Sequence, residues 1–200
     1  MSGPLHHDTV GAKLGMWLFL FTELILFGGL FLLYSAYLHR YPQEFAAAGR
    51  EMHLVFGTIN TVILISSSLL VAMAVTAIQR AQKRLVLGLL GGTILCALIF
   101  LFNKYLEWSA EIARGIYPDS PRLIAGPAGE SIFYSLYYLT AGLHGLHVLI
   151  GAILLTVVAL RVRSGAIDAG NFILLENGAL YWHLVDLIWI FIFPLYYLIL

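Results

Sequence analysis

The chain has 200 residues, of which 60% are hydrophobic and only 11% are charged, and its formal net charge is zero. Soluble domains usually carry about 25% charged residues, so this composition excludes an ordinary soluble protein. The single cysteine, Cys96, excludes an internal disulfide, and we interpret it as a small apolar residue inside a helix.

Five apolar runs follow one another along the chain, and each meets or approaches the about 20 residues that a membrane-spanning helix needs. We predict an all-α polytopic membrane protein, in which a single transmembrane helix-bundle domain occupies residues 1–200. The five helices are predicted at residues 13–38, 53–79, 85–113, 131–162 and 172–199. No signal peptide is expected. His6 and His7 could form a metal site in principle, but we interpret this pair of histidines near the N-terminus as incidental.

The connections between the predicted helices differ in length. Residues 39–52 are expected to form a short connection. The turn "QRAQKR" after the second helix is so short that the second and third helices must be antiparallel neighbours. The third helix keeps helical spacing past its apolar run, with Glu107 and Glu111 four residues apart, and is predicted to project from the membrane as far as Gly115. A loop rich in proline and glycine then leads to the fourth helix.

The distribution of basic residues predicts the orientation, because lysine and arginine near short loops favour the cytoplasmic side. The side of the N-terminus carries six of them, Lys13, Arg80, Lys83, Arg84, Arg161 and Arg163. The other side carries five, Arg40, Arg50, Lys104, Arg114 and Arg122. We therefore predict that the N-terminus lies inside and that the C-terminus and the loop at residues 115–130 lie outside.

Polar residues within the apolar runs need a partner, because an unpaired charge in the bilayer is costly. Glu23 lies ten residues beyond Lys13, which at ~1.5 Å per residue places it roughly 15 Å deep. His144 and His147 lie in the fourth helix and, three residues apart, share a face. We predict that one or both histidines face Glu23, within about 3.2 Å of its carboxyl group.

Other polar residues of the apolar runs are expected to join helices. Asn60 should reach a neighbouring helix. In the fifth helix, Glu176, His183 and Asp186 share one face, and His183 and Asp186 are close enough along the helix to bond directly. Both are expected to face protein.

Three interpretations of these residues compete. A bound metal or haem could use the histidines and Glu23, but the chain has no Glu-x-x-His motif for a di-iron site, and His144 and His147 cannot both bind one iron axially. A proton path needs groups across the whole membrane, and the outer half offers few. We favour the third interpretation, structural polar pins between helices with no metal ligands, for Glu23, Asn60, His144, His147, His183 and Asp186.

Four motifs, in order along the chain, resemble the haem–copper oxidase subunit III family. They are "KLGMWLFLFTELILFGGLF", "GTINTVILISSS", "YYLTAGLHGLHVLIG" and "LYWHLVDLIWIFIFPLYYL". The combination of "HGLHV" with "YWHLVD" is the most specific part of this resemblance. In that family, the counterpart of Glu23 is a buried glutamate near the histidine of the HGLH segment.

The resemblance implies an accessory, non-catalytic subunit of a respiratory oxidase in the bacterial cytoplasmic membrane, with haems and copper in partner subunits and none in this chain. Such a subunit packs on subunit I, binds phospholipid, keeps proton uptake fast and protects the active site during turnover. Its partners would be subunits I and II and phospholipids, and no nucleic acid. Lipid head groups could contact Arg80, Lys83, Arg84, Arg161 and Arg163.

Some alternatives stay open within and beyond this family. The electron donor could be cytochrome c or a quinol, and a nitric oxide reductase-associated relative of subunit III would have the same fold. A free-standing membrane haem or metal enzyme belongs to a different class. The sequence also departs from the seven-helix mitochondrial form, because the first two helices, which form one wall of the lipid cleft, have no counterpart.

Overall fold

The fold was analysed in a computed structural model that describes residues 9–198. His6, His7 and residue 199 of the predicted last helix lie outside the described residues. Seven helices follow in order: α1 (Thr9–Arg40), α2 (Pro42–Glu51), α3 (Leu54–Gln79), α4 (Lys83–Ala113), α5 (Pro121–Ala125), α6 (Ala128–Ser164) and α7 (Ile173–Tyr197). The prediction of an all-α polytopic protein is confirmed.

Five of these helices, α1, α3, α4, α6 and α7, are long and apolar enough to cross a membrane. They correspond to the five predicted helices, with ends that differ by a few residues. Large apolar side chains such as Leu18, Val62 and Leu95 point away from the bundle, as they do where the surrounding medium is hydrocarbon. The chain is therefore a multi-pass membrane protein.

The connection predicted at residues 39–52 is mostly helical. Pro42 begins α2, where its fixed φ favours a first helical turn. Phe45, Ala48 and Gly49 are buried on one side of this helix, which packs against α6. The short helix α5 likewise lies in the predicted loop at residues 115–130, and the hydroxyl of Ser120 accepts a hydrogen bond from the Leu123 amide at its start. The end of the bundle that carries these two helices is called the α2/α5 end.

The long helices pack mainly through α3, α4, α6 and α7, and α1 lies at the edge against α6 and α7. Helices α3 and α4 are antiparallel neighbours joined by a tight turn, as predicted. Within this turn, Ala81 has a φ of 57°. Of the five long helices, α7 is the most buried and α1 the least.

Helices α6 and α7 approach closely because a glycine leaves space for an indole ring. A Cβ atom placed on Gly151 would lie 2.8 Å from the ring of Trp182, closer than real Cβ contacts. The Trp182 side chain is fully buried, and its Nε1 donates a hydrogen bond to Ser67 Oγ at 2.9 Å. Trp182 thus ties α7 to both α6 and α3.

Candidate functional site

Glu23 on α1 and His147 on α6 form a hydrogen-bonded pair. The Nε2 atom of His147 lies 3.0 Å from Glu23 Oε2, and only 13% of the Glu23 side chain and 11% of the His147 side chain are exposed. The ring of Phe27 meets the imidazole edge-on at 5.4 Å, and the ring of Tyr181 is stacked beside it at 6.5 Å, with an angle of 26° between the ring planes. The predicted contact between Glu23 and an imidazole is confirmed for His147.

The second nitrogen of His147 determines what this pair can do chemically. Nδ1 lies 2.7 Å from the carbonyl oxygen of Leu143, which can only accept, so Nδ1 carries a proton. The hydrogen bond to Glu23 then needs one further proton, which is either on the carboxyl group or on Nε2. The bond forms in both arrangements, so the pair can share a proton while it holds α1 against α6.

His144 does not take part in this pair, although it is only three residues from His147. It is fully buried, and neither of its ring nitrogens has a hydrogen-bond partner among the described residues. Its ring is instead enclosed by Phe100 at 5.5 Å and Trp189 at 5.2 Å. The shared helical face therefore does not mean a shared partner, because α6 is surrounded by α1, α4 and α7 at this level.

His183 and Asp186, which the helical spacing brings close enough to bond, do not bond to each other. The Nδ1 atom of His183 lies 2.7 Å from the hydroxyl of Ser68 on α3, which gives the imidazole an interhelical partner. Asp186 does face protein, with 4% of its surface exposed, but neither carboxyl oxygen has a hydrogen-bond partner among the described residues. Glu176 on the same face pairs with Lys13 at 3.0 Å.

Asn60 reaches another helix, as predicted. Its Oδ1 atom accepts a hydrogen bond of 2.9 Å from the amide nitrogen of Asn103 on α4. Asn60 is fully buried. This bond and the close approach of Leu70 to Gly92 fix the register between α3 and α4.

A buried polar cluster at the α2/α5 end was missed by the sequence interpretation, which placed Glu107 on a helical extension outside the membrane. The Nζ atom of Lys104 donates to Glu107 Oε2 at 3.0 Å and to the hydroxyls of Tyr137 at 2.6 Å and Tyr197 at 2.9 Å. Both hydroxyls donate in turn to Glu107 Oε1, at 2.8 and 2.6 Å. The cluster joins α4, α6 and α7, and Glu107 is fully buried within it.

The five basic residues proposed as lipid contacts all lie exposed at the opposite end of the bundle. No side-chain hydrogen bond or ion pair to another described residue occupies them. They are Arg80, Lys83, Arg84, Arg161 and Arg163. A groove of about 290 Å³ lies beside Arg80, with apolar walls from Ala77, Leu85 and Leu89.

The donors needed for a metal centre are not gathered in the described part of the chain. No group of three histidine, cysteine, aspartate or glutamate side chains in residues 9–198 is arranged to hold an ion. The sets that do form are pairs that join neighbouring helices, such as Glu23 with His147. The fold and these contacts define a helical membrane protein whose helices are joined by hydrogen bonds and by the buried ion pair of Lys104 with Glu107.

The family described as cytochrome c oxidase subunit III matches residues 5–199 of the chain. The chain belongs to this family, which confirms the resemblance seen in the four motifs. The match covers all five long helices and both short ones.

Three similar proteins illustrate the range of the family. The chain is 31% identical to a heme-copper oxidase subunit I+III of Aeropyrum pernix, over 98% of this chain and 23% of that protein. It is 32% identical to a cytochrome c oxidase subunit 3 of Thermostichus vulcanus, over 93% of this chain and 86% of that protein. It is 28% identical to a cytochrome bo(3) ubiquinol oxidase subunit 3 of Pseudomonas aeruginosa, over 96% and 87%.

Proposed function

We propose that this chain is the accessory, non-redox subunit III of a haem–copper terminal oxidase in the cytoplasmic membrane of a bacterium. The observation that carries the proposal is the family match over nearly the whole chain. The relative from Aeropyrum pernix, whose name joins subunits I and III in one chain, supports packing against subunit I. Subunit II, the haems and the copper would belong to the same complex but to other chains.

The expected contribution of this chain is to support proton uptake by subunit I and to prolong its activity during turnover. Hydrogen bonds between helices, such as those of Glu23 with His147 and Asn60 with Asn103, would keep the bundle rigid beside the catalytic subunit. Phospholipid would bind at the end that carries Arg80, where an exposed cation adjoins an apolar groove. Such a site suits an anionic head group with its acyl chain along the helices.

Two electron donors are compatible with this function. Relatives of similar identity are named as subunits of cytochrome c oxidases and of quinol oxidases. Because the donor would bind to other subunits, the choice depends on the partner chains. We propose cytochrome c oxidase first, with quinol oxidase as the second candidate.

Purification of the native complex through a tag on the N-terminus of this chain tests the proposal. We expect a large haem-containing subunit to co-purify, with the absorption spectrum of a haem–copper oxidase and oxygen consumption from reduced cytochrome c or a quinol. Co-purification with a nitric oxide reductase would assign the chain to the related protein of that system. A haem or metal spectrum from the isolated chain would contradict an accessory function.

A further inference from the structure

The charges of the buried cluster at the α2/α5 end do not cancel. Lys104 and Glu107 satisfy each other, because the ammonium group has three acceptors and the Glu107 carboxylate has three donors. A second carboxyl group, that of Glu111, lies one helical turn further along α4 and is 1% exposed. The cluster therefore holds two buried carboxyl groups and one buried cation.

Glu111 has fewer partners than Glu107. Its Oε2 accepts a hydrogen bond of 3.1 Å from the hydroxyl of Tyr138, and its Oε1 is buried without a partner among the described residues. Arg114, the residue that follows the end of α4, points to His53 instead, with Nη2 3.1 Å from Nε2 of that ring. A second negative charge here would thus have one hydrogen bond and no ion pair, which is an unfavourable state for a buried carboxylate.

The surroundings of Glu111 contain ionisable groups from each helix that packs here. They are Lys104 and Glu107 on α4, Arg114 directly after α4, Tyr134, Tyr137 and Tyr138 on α6, and Tyr197 on α7. The only cation among the buried members is Lys104, and Glu107 already pairs with it. A proton on Glu111 is the remaining way to balance the charge of the buried group.

We propose that Glu111 is a proton-binding site, and that its carboxyl group holds a proton that exchanges with water at the α2/α5 end of the bundle. This site lies away from the Glu23–His147 pair and does not depend on the accessory function or on the membrane orientation. Release of the proton leaves a carboxylate that still accepts from Tyr138, and uptake restores the acid. No electron transfer is involved.

The position of Tyr138 provides the connection to the surface. Its hydroxyl lies 3.1 Å from Glu111 Oε2 and 2.8 Å from the carbonyl oxygen of Ile116, in the segment between α4 and α5. Helix α4 ends at Ala113, so Glu111 is within one turn of the end of the helix. The hydroxyl can donate to only one of these two acceptors at a time, and Tyr138 is itself half-buried, so exchange of the Glu111 proton with water is expected beside this side chain.

Infrared spectroscopy of the purified complex tests the site, because a protonated carboxyl group has a C=O stretching band that a carboxylate lacks. We expect Glu111→Gln to remove one such band from the spectrum. Tyr138→Phe should shift the same band to higher frequency, because the hydrogen bond to Glu111 is lost. Transfer of the unaltered complex to D₂O should shift the band to lower frequency, which shows that the proton exchanges.

Glu51→Gln is the matched control, since Glu51 is an exposed carboxylate at the same end, paired with Arg122 at 3.2 Å. It should change no protonated-carboxyl band. An unchanged band in Glu111→Gln, in a complex that retains its haem spectrum and subunits, would overturn the proposal. A band that is insensitive to D₂O would show that the Glu111 proton does not exchange with water. If Glu111→Gln does not assemble, the Tyr138→Phe shift decides between a protonated and an ionised Glu111.

Discussion

Lys104 and Glu107 form an ion pair of 3.0 Å, one turn apart on α4, and both side chains are enclosed by the bundle. Their remaining hydrogen-bonding groups are taken up by the hydroxyls of Tyr137 and Tyr197. Each hydroxyl accepts from the ammonium group and donates to the carboxylate. The pair is thereby a connection between three helices and not only a contact within one.

Replacement of Lys104 should be strongly destabilising. Lys104→Met leaves the Glu107 carboxylate buried without its cation, and breaking a buried ion pair in this way costs about 3–5 kcal/mol. The midpoint of thermal or SDS unfolding of the purified chain should fall accordingly. The double substitution Lys104→Met with Glu107→Gln removes both charges and should recover part of the loss. Equal unfolding midpoints for the single and double variants would show that the loss does not come from an unpaired Glu107 carboxylate.

The Glu23–His147 pair should stabilise the fold through its hydrogen bond and not through a fixed charge. Glu23→Gln can still donate to Nε2 of His147, so its stability should stay close to that of the original chain. Glu23→Leu leaves the imidazole nitrogen without a partner and should cost about 1–3 kcal/mol. Thermal unfolding of the two variants compares them directly. A similar loss in Glu23→Gln would indicate that the pair needs a carboxyl group.

The close approach of α6 and α7 should be sensitive to a single methyl group. Gly151→Ala places a Cβ 2.8 Å from the Trp182 ring, and overpacking of this kind typically costs about 1–3 kcal/mol. Gly145→Ala on the same helix is the control, since a Cβ there meets nothing within 4 Å. Gly145→Ala should be neutral or slightly stabilising. Equal losses of unfolding free energy in the two variants would show that the cost comes from α6 alone and not from the contact with Trp182.

The proposed orientation can be tested by cysteine labelling in intact cells. In a background with Cys96→Ala, a membrane-impermeant thiol reagent should label Ala125→Cys, on the loop predicted to lie outside, and not Ser164→Cys. Ser120, in the same predicted loop, is buried and caps α5, so it is unsuitable for labelling. Labelling of Ser164→Cys alone would show that the chain has the opposite orientation in the membrane.

Removal of this chain should leave the catalytic chemistry of the oxidase in place. We expect a complex purified without it to keep its haem spectrum and much of its initial rate, but to lose activity faster during sustained turnover. The rate should also fall more steeply at high pH, where protons are scarce. Oxygen consumption over time, with and without added chain, measures both effects. Immediate loss of all activity with an intact large subunit would contradict an accessory function.

The long helices could be predicted from the sequence because apolar length alone indicates them. A contact between Glu23 and a histidine of the fourth helix could also be predicted, because Glu23 and the histidine pair lie at similar depth. The sequence could not decide between His144 and His147, because helical spacing gives the face of a residue but not the neighbour on that face. Which of α1, α4 or α7 packs there depends on bundle geometry that one sequence does not contain.

The buried cluster was missed for a different reason. Charged residues at the end of an apolar run usually mark the membrane surface, which is why the sequence predicts that the helix projects from the membrane at Glu107. However, the buried stripe of α4 repeats at alternating intervals of four and three residues and includes both Lys104 and Glu107. The stripe contains Val86, Leu90, Thr93, Ala97, Phe100, Lys104, Glu107 and Glu111. Continuation of this spacing past the apolar run was the available signal.

The hydroxyl of Tyr34 on α1 donates to the carbonyl of Leu195, in the closing turn of α7, where carbonyls lack partners within the helix. The same turn supplies Tyr197 to Glu107. The closing turn of α7 therefore binds both the edge helix α1 and the buried ion pair of α4. A fusion or truncation that unwinds this turn would break the contact with Tyr34 and the contact with Glu107 together. A loss of function in a chain modified at its C-terminus would therefore first indicate damage to the fold, and only then an effect on the partner subunits.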